Sequence, residues 1–199
     1  MLKITILSIV INKTKGVFMT RIAVIVGSLR EDSINKKLAK NIESLAPEGV
    51  EFTHVDINLP LFNQDFSEDN YPVEARAAKD MVEAADGVLF VTPEYNRSLP
   101  GPLKNAIDWL SRPWGTNSFD GKPSGVIGAS IGPVGTAVAQ ADLRHILGFL
   151  NAPQLGQPEI YVANASDLFD ETGTLIDERW HKNLKAYIET FAAWVEKQK

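Results

Sequence analysis

Ile22-Ala23-Val24-Ile25-Val26-Gly27-Ser28-Leu29-Arg30-Glu31-Asp32-Ser33-Ile34-Asn35 is the stretch on which the fold turns. Its unbroken apolar run reads as a strand covered on both faces, the pattern of a parallel sheet. The hydroxyl-rich loop after it opens a helix predicted over 33–46, in which Ile34, Leu38, Ile42 and Leu45 share one face and Pro47 and Gly49 end it. Gly87-Val88-Leu89-Phe90-Val91 repeats the arrangement: it runs into Thr92-Pro93-Glu94-Tyr95-Asn96-Arg97-Ser98-Leu99-Pro100-Gly101 and then into a helix over 101–111. In an open parallel sheet, ligands sit beyond the carboxyl ends of the strands. One loop offers hydroxyls and an arginine, the other Pro, Tyr and Asn. Together they suit a ligand with a phosphate at one end and a flat polar ring at the other.

Outward from these loops the chain alternates strand and helix. Strands are predicted over 21–27, 50–56, 87–92 and 123–131, with a last one within 154–162. Helices are predicted over 33–46, 72–85, 101–111, 136–150 and 178–196, and 59–71 reads as a long loop. The closing helix carries Trp180, Leu184, Ile188, Phe191 and Val195 along one stripe. Five strands alternating with five helices specify a doubly wound α/β fold, a parallel sheet between two helical layers. Residues 19–199 form one domain. Residues 1–18 read as an N-terminal extension without a functional role, too short in apolar length to span a bilayer and without a small-residue cleavage site.

Composition narrows the chemistry. The chain has 199 residues, 44% hydrophobic and 23% charged, with a formal net charge of -5 and no basic run, which excludes nucleic acid as the expected partner. It has no cysteine, so thiol nucleophiles and thiol redox chemistry are absent, and any redox activity needs a bound cofactor. His54, His145 and His181 fall on separate elements without metal-ligand spacing, so no metal site is expected.

The first loop lacks the Gly-Lys-Ser/Thr of a triphosphate loop and the later glycines of a dinucleotide loop, which favours a monophosphate. A helix N-terminus offers unpaired N–H groups to an anion. Ser28, Ser33 and Asn35 add neutral donors, and Arg30 adds a charge-assisted pair. The plainer alternative is that Ser33 only caps its helix and Arg30 is solvated. In the second loop Pro93 and Pro100 stiffen the backbone, Tyr95 supplies a face or rim for a ring, and Glu94 is suited to holding the loop in shape. Its plainer alternative is a strand–helix turn in which Asn96 and Ser98 make local bonds. Gly132-Pro133-Val134-Gly135 forms a third loop on the same side.

These residues together resemble the NADPH-dependent FMN reductase family, flavodoxin-like enzymes that include bacterial quinone and chromate reductases. The resemblance lies in Gly27-Ser28-Leu29-Arg30 with Ser33 and Asn35, in Thr92-Pro93-Glu94-Tyr95-Asn96 through Gly101, in Leu103–Arg112, in Ser130–Gly135 and in Leu143–Leu147. It implies FMN bound non-covalently, its phosphate on Ser28, Arg30, Ser33 and Asn35 and its ring lined by Pro93, Glu94, Tyr95 and Asn96, with Ser130, Gly132 and Gly135 completing the ring side. It implies a cytoplasmic enzyme working by a ping-pong cycle. NADPH or NADH gives hydride to flavin N5, and a quinone, flavin, azo compound or metal oxyanion such as chromate then takes the electrons. No side-chain catalyst is required. The family also implies a dimer or tetramer, with the helices over 101–111 and 136–150 as the interface. Arg97 stands where such enzymes often carry an aromatic or small residue, and Pro133 is a second departure; both adjoin the substrate side. An electron-transferring flavodoxin and a flavin-less scaffold are the alternative readings. The arginine in the first loop and the modest net charge count against the former; Arg30, Ser33, Tyr95 and Asn96 together count against the latter.

Overall fold

The computed structural model describes residues 19–66 and 70–199; the extension expected at 1–18 lies outside the described residues. Strands β1 (Thr20–Val26), β2 (Val50–His54), β3 (Gly87–Val91), β4 (Ser124–Ala129) and β5 (Ile160–Val162) pair in parallel in the order β2-β1-β3-β4-β5. Helices α1 (Ile34–Ser44) and α5 (Glu178–Gln198) cover one face, with Leu38, Ile42, Leu184, Ile188 and Phe191 in its core. Helices α2 (Val73–Ala84), α3 (Gly101–Leu110) and α4 (Ala137–Phe149) cover the other around Phe90, Ile107, Phe119, Leu143 and Leu147. This is the flavodoxin-like α/β arrangement. Among the described residues no helix is long and apolar enough to cross a membrane.

The strand order explains where a crevice opens. From β1 the chain steps to β2 on one side, while β3 lies on the other, so the helices that follow β1 and β3 part to opposite faces of the sheet. Strands β1, β3 and β4 are neighbours, and the loops that follow all three meet at one end of the sheet. Central strands β1 and β3 are buried along nearly their whole length, whereas edge strand β2 alternates between half-buried and exposed residues.

One element occupies only part of its expected range, and a second was not expected at all. The last strand is three residues long, because the chain pairs at Gln154 with Ser124 and then bulges away before rejoining β4 at Ile160. Tyr187 of α5 packs over Gly125 of β4, its ring fully buried, and burial pushes its phenol above the ordinary range. The unexpected element is a turn and bridge, Phe169 with Leu175. Asn41 of α1 holds that turn, donating to the Gly173 carbonyl at 2.8 Å and accepting from the Leu175 N–H at 2.9 Å.

Gly128 fixes how the sheet meets the crevice. A Cβ there would overlap the Thr92 carbonyl oxygen and the Thr136 hydroxyl, so β4 approaches the end of β3 as only glycine allows. Gly128→Ala is expected to displace Thr92 and to lower the unfolding free energy by about 1–3 kcal/mol, read from urea denaturation.

Candidate functional site

The first loop leaves β1 at Gly27, whose N–H bonds the Val91 carbonyl at 2.9 Å and ties the loop to the end of β3. A Cβ at Gly27 would press on Pro93, Pro100 and Leu103 at 3.1–3.2 Å, so the first two loops pack directly against each other. Ser28 and Ser33 are buried and Arg30 is exposed. Ser33 caps α1, its Oγ accepting from the Lys36 N–H at 3.4 Å. The backbone N–H groups of Ile34 and Asn35, in the first turn of α1, have no carbonyl within the helix to receive them. Asp32 would oppose an anion here, but Lys37 contacts it at 2.5 Å and holds its carboxyl below the ordinary value. A cleft of about 680 Å³ adjoins this loop, lined by Ser28, Ser33, Lys36, Lys40, His54 and Asn58.

Asn35 does something its position in the sequence does not announce. Its Nδ2 donates to the Ala129 carbonyl at 2.9 Å, and its Oδ1 accepts from the Ala129 N–H at 2.9 Å. The side-chain amide therefore stands in for a missing strand beside the end of β4, past the point where β3 stops. Both bonds are buried, and they clamp the N-terminus of α1 over the sheet.

The second loop contains a small hairpin. Tyr95 and Ser98 exchange N–H···O bonds at 3.1 and 3.0 Å, and Asn96 and Arg97 between them have φ of 51° and 61°. Positive φ at both central residues defines a type I′ turn. Pro93 is half-buried at the strand end, and Tyr95 is 51% exposed at the rim.

Glu94 anchors this hairpin. Its Oε2 accepts from the N–H groups of Val138 and Ala139 at 3.0 and 3.1 Å, capping α4 from a distant loop. Helix α4 has no side-chain cap of its own, because Thr136 is left-handed at φ 69°. The Oε1 pairs with Arg97 Nη1 at 3.0 Å, and Ser98 Oγ donates to Asp142 of α4 at 2.8 Å. The expectation that Glu94 shapes its loop matches this geometry.

The third loop closes the arrangement. Ser130 N–H bonds the Val162 carbonyl at 2.9 Å, and its Oγ donates to the Gly132 carbonyl at 3.2 Å. Gly135 has φ of 64°, and a Cβ there would meet the Tyr161 backbone at 2.8 Å. Ser130, Gly132 and Val134 line a pocket of about 280 Å³ with Glu94, Asn96 and Arg97. The sequence-chosen residues thus gather at one end of the sheet in two groups: Ser28, Arg30 and Ser33 around the first loop, and Asn96, Ser130 and Gly132 around the small pocket. The side chains of Asn35 and Glu94 are committed to neighbouring backbone, and Gly135 is packed against β5. No group of three or more His, Asp or Glu suited to a metal occurs among the described residues.

The model of a family described as NADPH-dependent FMN reductase matches residues 20–167. The chain belongs to that family. It is 49% identical over 176 residues to a 2-hydroxy-1,4-benzoquinone reductase of a Burkholderia species, covering 88% of this chain and 96% of the relative. It is 43% identical to a quinone reductase of Pseudomonas putida, covering 88% and 94% of the two chains. Among solved structures it is similar to FerB, a flavoenzyme NAD(P)H:(acceptor) oxidoreductase from Paracoccus denitrificans, with a TM-score of 0.85, 42% identity and coverage of 90% and 99%. The matched region contains all three loops.

Replacing Asn35 by Ala removes two buried hydrogen bonds and leaves the Ala129 backbone unpaired. Cofactor-free Asn35→Ala protein is expected to lose about 1–3 kcal/mol of stability in urea. An unchanged midpoint would show that the clamp is dispensable to the fold.

Proposed function

We propose that the chain is an NAD(P)H-dependent, FMN-containing quinone reductase whose flavin lies across the three loops. The observation that supports this most is the junction of Gly27 with Pro93 and Pro100, which joins an anion-accepting helix end to a rigid, aromatic-rimmed ring loop. The donor set fits FMN. Ser28 and Ser33 hydroxyls, the Arg30 guanidinium and the N–H groups opening α1 match a phosphate dianion. Pro93, Tyr95, Asn96, Ser130 and Gly132 match a flat ring with polar edges. Asn35, Glu94 and Gly135 serve the same site by holding its walls.

When bound, FMN accepts a hydride from NAD(P)H and passes two electrons to a quinone. The chain's own part is binding and orientation. The first loop neutralises phosphate charge while Lys37 occupies Asp32. The two bonds of the 95–98 hairpin and the Glu94 cap keep the ring loop from yielding when a substrate stacks on it. No side chain needs to exchange a proton. Such an enzyme draws on the cytoplasmic NAD(P)H pool.

The same site would belong to an oligomer. Val138, Asp142, His145 and Phe149 form one stripe on the outer face of α4, and Phe149 is 71% exposed. Val138 and Phe149 are equally far from the midpoint between Asp142 and His145. An antiparallel second copy would therefore set Val138 on Phe149 and Asp142 beside His145, a self-complementary pairing.

Three outcomes are expected. Anaerobic FMN-loaded protein should bleach on addition of NADPH or NADH and regain its colour with a quinone; a flavin that stays oxidised would indicate an electron carrier instead. Arg30→Ala should weaken FMN binding about tenfold by flavin-fluorescence titration, without lowering the cofactor-free melting temperature. Phe149→Glu should convert the oligomer to a monomer in light scattering.

A further inference from the structure

Arg97 occupies a backbone position that does not favour it. A type I′ turn prefers glycine at its second central residue, because a Cβ is crowded at φ near 61°. The chain keeps an arginine there. Its ion pair with Glu94 uses Nη1, yet the side chain is 63% exposed, so most of the guanidinium is left over. A non-glycine residue held in this conformation is a reason to look for a function.

Its surroundings say what that function is. Arg97 lines the small pocket with Asn96, Ser130, Ile131, Pro133 and its own partner Glu94, whose carboxylate is only 8% exposed and is also held by the N–H groups opening α4, and Ile131 is 69% exposed there. Arg112 follows α3 at the opposite end of the sheet, over Trp114, and Arg144 donates to the Leu155 carbonyl at 3.0 Å with Nε and Nη2 buried. Arg97 is thus the one arginine among the described residues that lines this pocket. At about 280 Å³ the pocket holds a single ring and its substituents, not a dinucleotide. Its apolar wall suits a ring face, and its arginine suits a negative oxygen in the plane of that ring.

We propose that Arg97 selects acceptors carrying a negative oxygen on the ring, namely ionised hydroxyquinones in preference to neutral quinones. This rests on the quinone reductase reading. In an ionised 2-hydroxyquinone the charge is shared by the 2- and 4-oxygens through the conjugated ring, and the 2-oxygen lies beside the neutral 1-carbonyl, so the planar fork of arginine can give one N–H to each of these adjacent oxygens. The overall reaction takes one hydride from NAD(P)H and two protons from solvent. It converts the hydroxybenzoquinone anion to benzene-1,2,4-triol and leaves NAD(P)+. Negative charge on the acceptor rises as the hydride arrives, so Arg97 also stabilises the charge that develops.

The test compares FMN-loaded wild type, Arg97→Gln and Arg97→Lys. The ratio of kcat/KM for 2-hydroxy-1,4-benzoquinone to that for 1,4-benzoquinone should fall about tenfold in Arg97→Gln and recover in part in Arg97→Lys. As a binding readout, the flavin absorbance shift should report tighter binding of benzoate than of benzamide in wild type, a preference lost in Arg97→Gln. An unchanged acceptor ratio would overturn the proposal and leave Arg97 as a tie for Glu94. A fall in the NADPH-to-NADH ratio with the acceptor ratio intact would also overturn it, assigning Arg97 to the donor's 2′-phosphate. Wild-type protein that reduces no quinone would instead sink the underlying reading.

Discussion

Strand β3 ends two residues before its neighbour β4, and the site depends on how that gap is filled. The Thr92 carbonyl lies against Gly128, so the strands stay close to the last shared bond. Beyond it the Ala129 N–H and C=O have no strand to pair with, and a buried unpaired peptide is costly. The Asn35 amide satisfies both groups. One side chain therefore completes the sheet and fixes the start of α1 above it. The early end of β3 frees the backbone from Pro93 onward to turn over the crevice.

The loops are then locked to one another rather than each to its own strand. Gly27 bonds the end of β3, Glu94 caps α4, Ser98 bonds Asp142, and Ser130 bonds β5. These ties run between elements that are distant in sequence, so the walls of the crevice form only when the whole sheet has assembled. This suits a protein whose cofactor supplies the reactivity, because its own contribution is a fixed geometry.

The electrostatics are equally divided between elements. Asp32 in the first loop is paired by Lys37, and Glu94 holds Arg97 beside the third-loop pocket. Neither pair is deeply buried in full, so their value lies in placing charge more than in overall stability.

The pattern of residue types alone is enough to specify the layer architecture and to mark which loops matter. An unbroken apolar strand must be covered on both faces, and helix periodicity with Pro and Gly stops marks the covering elements. The hydroxyls and arginine after β1, and the Pro-Glu-Tyr-Asn run after β3, state their chemistry locally. Residue type did not reveal which of those polar groups were free. Asn35 reads as a donor for a ligand, and only the end of β4, 94 residues away, claims its amide. Glu94 reads as a loop residue, and only the uncapped start of α4 gives its carboxylate a partner. The short β5 and the left-handed Arg97 were likewise settled by tertiary structure, through a bulge beside β4 and a two-bond hairpin. A side chain's capacity for hydrogen bonds is local, but its partners are chosen by the fold.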